Sequence, residues 1–211
     1  MARNDERRRE LADAGISVLA AEGMRGLTHR AVDARAGAPT GTASNYFRSR
    51  DALVAALVER IGERLAPDPA LHAQWQGRTP DRALFADYTR DIVRRLTTER
   101  DVTLALFTLR LEAARNEQIA RSLGEWMRSG FAADVAFNRT AGLPGDAFEI
   151  ALFHYAIEGL ILDRLTVSVD PDTSTDDIVG ALVDGLLQGS NPRDLHSNQA
   201  MRRDQAASDA E

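Results

Sequence analysis

Thr28-His-Arg-Ala-Val-Asp-Ala-Arg-Ala-Gly-Ala-Pro-Thr-Gly-Thr-Ala-Ser-Asn-Tyr-Phe47 reads as two short helices joined by a tight turn. Thr28 suits an N-cap, because its hydroxyl can accept from a backbone N–H two or three residues on. Ala31, Val32, Ala34 and Ala36 carry a helix forward from it. Gly37 stops that helix, since glycine tolerates the positive φ of a helix-ending turn, and Pro39 can open the next helix at its first position. The second helix is expected over about Thr40 to Phe47. It has little to bury except Ala43, Tyr46 and Phe47. Its hydroxyls, its amide and Gly41 let it approach another surface closely and hydrogen-bond to it, which suits the recognition helix of a helix-turn-helix in the major groove of DNA.

Upstream, Asn4 can cap a first helix, with Asp5 and Glu6 at its positive end and Arg7, Arg8 and Arg9 behind them. These arginines either reach phosphate or the minor groove or form a solvated face. Leu11, Gly15, Val18 and Leu19 recur at helical spacing as its core face, and Gly23 ends it. Downstream, Ser49 can cap a helix whose stripe is Leu53, Leu57, Ile61 and Leu65.

Charge divides the chain in the same place. Residues 1–50 hold nine arginines against six acids, +3, while the remainder holds 17 arginines against 26 acids, −9, giving the net charge of −6. A basic head that meets phosphate and an acidic body that stays clear of it follow from this asymmetry. With 211 residues, 44% of them hydrophobic, there is room for a small head and a larger body. Aromatic residues make up 6%, and the hydrophobes are mostly Ala and Leu, which favours helix over sheet. Cysteine is absent, which excludes disulfide and thiolate chemistry and agrees with a reducing cytoplasm. The first residues carry no signal peptide, and no apolar run approaches the roughly 18 residues of a membrane span. A cytoplasmic protein is expected.

The expected fold is all-α, with about nine helices. Residues 67–78 contain two prolines and a glycine and read as a loop anchored by Trp75. A helix from Thr79-Pro80 to about Glu99 buries Leu84, Phe85, Tyr88, Ile92 and Leu96. The next, opening at Asp101, is apolar on nearly every side through Leu111 and belongs at the centre of a bundle. Asn116 caps a helix with Ile119, Leu123, Trp126, Met127 and Phe131 inside. Residues 146–166 form another apolar helix, interrupted by His154, Glu158 and Asp163. The last carries Ile178, Val179, Leu182, Val183, Leu186 and Leu187, and its Gly180 and Gly185 suggest close approach of another helix. Residues 189–211 are polar and read as a disordered tail. The resulting divisions are a head over 1–50, a body over 51–188 and the tail.

The head resembles the DNA-binding domain of the TetR family of bacterial transcriptional regulators. The matching positions are Ala14, Leu19 and Gly23, then Leu27-Thr28, Ala36-Gly37, Gly41-Thr42, and Tyr46-Phe47-x-Ser49-Arg50-x-x-Leu53. Asp33 stands where the family usually has alanine, Ser44 where it often has an aromatic, and Arg50 where it often has lysine.

The resemblance implies a dimeric repressor of a palindromic double-stranded DNA operator, released by a small-molecule effector. Thr28, Thr40, Gly41, Thr42, Ser44, Asn45, Tyr46 and Arg50 would form the DNA surface. The last two helices would pair with those of a second subunit, an arrangement that two consecutive apolar helices also favour on their own. The body would hold an effector pocket, with Phe107, Arg110, Trp126, Met127, His154, Tyr155 and Glu158 as candidates. Phe107 and Met127 read first as core, and Trp126 equally as core or pocket wall. His154 and Glu158, one turn apart, read as half of a metal site, as contacts to a polar ligand, or as a pair satisfying each other at the dimer seam or pocket edge. No cofactor or metal is implied.

An all-helical enzyme would need a constellation the chain lacks: there is no paired Glu-x-x-His, no His-Glu-x-x-His, no Gly-x-Ser-x-Gly and no phosphate loop. An effector-independent or architectural DNA-binding protein is the remaining alternative.

Overall fold

The computed structural model describes residues 2–187, so the expected tail lies outside the described residues. Those residues form ten helices and no strand. The head comprises α1 (Ala2–Gly26), α2 (His29–Arg35) and α3 (Thr42–Tyr46). The chain continues through α4 (Arg50–Arg64), a short α5 (Pro69–Ala73), α6 (Arg82–Thr98), α7 (Arg100–Ala113), α8 (Glu117–Thr140), α9 (Ala147–Leu165) and α10 (Thr175–Leu186).

Caps account for most of these boundaries. Thr28 accepts from Ala31 N at 3.1 Å, Ser49 from Ala52 N at 3.0 Å and Asp81 from Leu84 N at 2.9 Å. Asn116 caps α8, and Asp146 with Glu149 forms a reciprocal capping box at α9. Gly23, at φ +68°, interrupts α1 before its last residues, where a non-glycine residue would be strained.

Three local expectations are corrected. Asn4 lies inside α1, which already begins at Ala2. The proline-containing segment after α4 is not wholly loop: Asp68 accepts from Ala70 N and Pro69 sits at the start of α5, where its missing N–H costs nothing. In α7, Leu111 is exposed, although the rest of the helix is central.

Two cores organise the packing. The first joins Leu11, Leu19, Val32, Phe47, Leu53, Leu57 and Ile61 of the head and α4 to Val102, Ala105 and Leu109 of α7 and Ile119 and Leu123 of α8. The second joins Leu84, Phe85 and Val93 of α6 to Phe153, Ile157 and Ile161 of α9 and Val179 and Val183 of α10. Leu104 and Phe107 of α7 pack against this second core. An apolar surface around most of α7 therefore has a physical use: the helix sits between both cores. Gly15 lets α1 and α4 approach, since a Cβ there would stand 2.7 Å from Leu57 Cδ2.

Candidate nucleic-acid interface and effector site

α3 is one and a half turns long, too short to persist alone, and it is held by α2. Its N-cap is Gly41, at φ +94°, which has no side chain to satisfy the free N–H groups. Asp33 of α2 supplies the missing acceptor. Its Oδ2 accepts from Gly41 N and its Oδ1 from Ala43 N, both at 2.7 Å, and Asp33 is only 3% exposed. At the other end, His29 Nε2 lies 2.7 Å from the Phe47 carbonyl oxygen, an acceptor, so Nε2 carries the proton. Phe47 is buried, with the Arg8 guanidinium 5.3 Å from its ring centroid.

The expected helix from Thr40 is thus shortened. Thr40 and Pro39 lie in the preceding turn, where the Pro39 carbonyl accepts from Thr42 N at 3.1 Å and from Thr42 Oγ1 at 2.6 Å. Ser44 Oγ donates to the Gly41 carbonyl at 2.9 Å. Thr28, Thr40, Ser44, Asn45 and Arg50 are exposed, while Gly41, Thr42 and Tyr46 are half-buried. Arg50 donates to the Met24 carbonyl at the broken end of α1. Arg7, Arg8 and Arg9 are each engaged, pairing with Glu10, Glu59 and Glu63. Sequence reading missed Asp33, His29 and Arg8 as supports of α3. For Asp33 the signal was present: an acid on the buried side of a helix, eight and ten residues before the two N–H groups it serves.

Of the effector candidates, only Arg110 of α7 and Glu158 of α9 are brought into contact with each other by a polar bond, an ion pair. His154 Nε2 lies 3.1 Å from Asp134 Oδ2 of α8, with its ring edge-on to Phe131 at 5.4 Å. His154 and Glu158 thus reach two different helices instead of satisfying each other. Phe107 packs on the second core, whereas Trp126 and Met127 pack on the first. Tyr155 is 71% exposed on the outer face of α9. Elsewhere, a cleft of about 640 Å³ opens between α5, α6 and the start of α10, lined in part by Trp75, Asp87, Arg90, Asp91 and Asp176. None of the effector candidates lines it. Asp91 is buried there; burial raises its carboxyl, but bonds from Arg95, Arg94 and His72 outweigh this and hold it below its usual value. Among the described residues no group of three or more His, Asp or Glu side chains is placed to hold a metal ion.

Two family models cover this architecture. That of bacterial regulatory proteins, tetR family, matches residues 11–57, and that of the tetracyclin repressor-like C-terminal domain matches residues 80–189. The chain belongs to the TetR family. It has the family's helix-turn-helix DNA-binding domain followed by its C-terminal domain, and the family is one of transcriptional regulators. No curated protein matches the chain.

Solved structures share the fold. A TetR-family regulator from Mesorhizobium loti superposes with a TM-score of 0.67 at 15% identity, covering 89% of this chain and 99% of that one. A transcriptional regulator from Streptomyces coelicolor gives 0.65 at 22% identity, with 87% and 99% covered. The multidrug binding protein EbrR, in complex with ethidium, gives 0.62 at 24% identity, with 86% and 98% covered. No helix among the described residues is long and apolar enough to cross a membrane.

Proposed function

We propose that this TetR-family protein is a homodimeric, cytoplasmic repressor of a palindromic DNA operator, released by a small-molecule effector, and that it catalyses no reaction. The observation that carries the reading is α3: a five-residue helix fixed at both ends by α2, with Ser44 and Asn45 exposed on it and Thr40 just before it. In this reading Thr40, Thr42, Ser44 and Asn45 meet base edges and Gly41 permits close approach. Thr28, Tyr46 and Arg50 meet the phosphate backbone. The Arg50 bond to Met24 leaves further guanidinium N–H groups for phosphate.

Dimerisation rests on the outer face of α9, where Phe148, Tyr155 and Leu162 are exposed at seven-residue spacing, the repeat of a helix-packing seam. At Gly159 on α9, and at Gly180 and Gly185 on α10, an added Cβ would meet nothing within 4 Å, which leaves room for a second copy's helices. A two-fold pair would set two recognition helices about 34 Å, or a multiple of it, apart.

Residues 1–50 then form the reading head and 51–188 the effector-binding and dimerising body. An effector that competes for Glu158 or His154 would free α9 from α7 and α8, and α7 adjoins both cores. Release requires that it bind the non-DNA arrangement more tightly. EbrR binds ethidium, proflavin and malachite green, and an aromatic organic effector is the class proposed here. The pairing of Arg110 and His154 within the protein, away from the cleft, favours the effector-independent reading as the alternative.

A reporter gene placed behind the DNA sequence that the protein enriches from a random pool tests the proposal. Wild-type protein should lower expression, a Thr42→Ala/Asn45→Ala variant should not, and an aromatic effector that raises the protein's Tm should restore expression. Unchanged expression with wild-type protein would refute repression; repression that no thermally stabilising compound relieves would select the effector-independent alternative.

A further inference from the structure

We propose that Asp33 is a specificity-determining positioning residue, which fixes the recognition helix for base readout without touching DNA. This rests on the DNA-binding reading above. α3 spans only Thr42–Tyr46, and its N-cap Gly41 offers no side-chain acceptor. Both Asp33 oxygens are committed to it, at 2.7 Å each from Gly41 N and Ala43 N. Bonds from N–H groups to a carboxylate are stronger than neutral ones. These two bonds are the compensation that the buried carboxylate of Asp33 has in the head.

The second clamp, His29 to the Phe47 carbonyl, also comes from α2. With Asp33 at the start and His29 at the end, α3 is set on α2 at two points. Base readout needs side chains held to within about 0.5 Å of the productive geometry. Phosphate attraction depends mainly on charge and tolerates misplacement. Loss of Asp33 should therefore weaken the sequence-specific part of binding. Loss of its negative charge also removes a repulsion from phosphate, which favours the sequence-independent part and offsets any loosening of the Tyr46 contact.

Asp33→Asn keeps the shape but offers one acceptor oxygen, so its amide NH₂ faces a backbone N–H; Asp33→Ala removes both acceptors. Full-length variants, shown helical by circular dichroism, would be titrated with two duplexes of equal length at two salt concentrations. One duplex is that enriched by the wild-type protein from a random pool, and the other is random. The expected result is a loss of about 10- to 100-fold on the enriched duplex, with binding to the random duplex as tight as wild type or tighter. Should the alanine variant fail to fold, the asparagine variant carries the test. Wild-type binding by the folded variants, or equal losses on both duplexes, would overturn the role. A wild-type protein that does not distinguish the two duplexes would overturn the DNA-reading proposal as well.

Discussion

Trp126 lies against Gly62 so closely that a Cβ on Gly62 would stand 2.8 Å from the indole Nε1. Here α8 of the body meets α4, whose Leu53, Leu57 and Ile61 complete the core of the head. Only glycine leaves space for the indole. The first core therefore runs without a break from the head through α4 to α8.

Gly62→Ala should destabilise the protein by about 1–2 kcal/mol, because overpacking costs roughly 1–3 kcal/mol and alanine recovers up to about 1 kcal/mol of helix propensity. Urea unfolding in a Trp75→Phe background, where Trp126 is the remaining tryptophan, would give both the stability and the emission shift of the displaced indole. In a Trp126→Leu background, followed by circular dichroism, the same Gly62→Ala substitution should cost much less. Stability equal to wild type would show that the contact is looser than described.

Tyr46→Phe should weaken binding to the enriched and the random duplex alike, since a lost phosphate contact carries no sequence information. Asn45→Ala should also relax the preference at one or two positions, at about 1–3 kcal/mol of discrimination per lost base contact. Binding measured across salt, with repeated selection for each variant, separates the two. Equal losses on both duplexes for both variants would remove Asn45 from base readout.

Asp91 accepts from Arg95 Nε at 2.9 Å, and Arg95 also donates to the Leu65 carbonyl at the end of α4. Its native carboxyl is held below the ordinary value, so its contribution to stability is complete above the unfolded-chain value of about 4. That contribution is lost as pH falls through the lowered native value. Asp91→Asn should cost about 3 kcal/mol at pH 7, because it leaves a half-buried arginine unpaired. Denaturant midpoints taken from pH 7 downward should show a constant gap between the variant and the wild type above about pH 4 and a narrowing gap below it. A gap that persists unchanged would show that the carboxylate's charge is not the source.

Tyr155→Glu combined with Leu162→Glu should convert the proposed dimer to monomer without unfolding it, because both side chains are exposed in the single chain. Sedimentation velocity would report the mass, and the concentration dependence of Tm should disappear. A variant that sediments with wild type would move the interface away from α9.

Much of the fold was legible because its signals are local. The stripes Leu11, Gly15, Val18, Leu19 and Leu53, Leu57, Ile61, Leu65 are buried as their spacing requires, and Thr28, Ser49 and Asn116 cap the helices they precede. Asp33 was legible only as a departure from pattern, because its partners are in another helix and long-range hydrogen bonding has no period. The same limit hid the partners of Arg110 and His154: a one-turn spacing between His154 and Glu158 brought them onto one helix, but α7 and α8 decide what each of them meets. Leu111 shows the reverse error: it belongs to a continuous apolar run but faces solvent, while Leu109 and Ala113 on either side of it pack on the first core.

The central claim is that paired α3 helices read a two-fold DNA sequence. Selection of bound duplexes from a random pool by the purified full-length protein, read by sequencing and followed by titration across salt, tests it most directly. The account predicts an enriched palindrome whose half-site centres lie about one helical turn of DNA, or a multiple of it, apart, with affinity for it well above that for random DNA at the same salt. A pool that stays random, with affinity that simply collapses as salt rises, would contradict it.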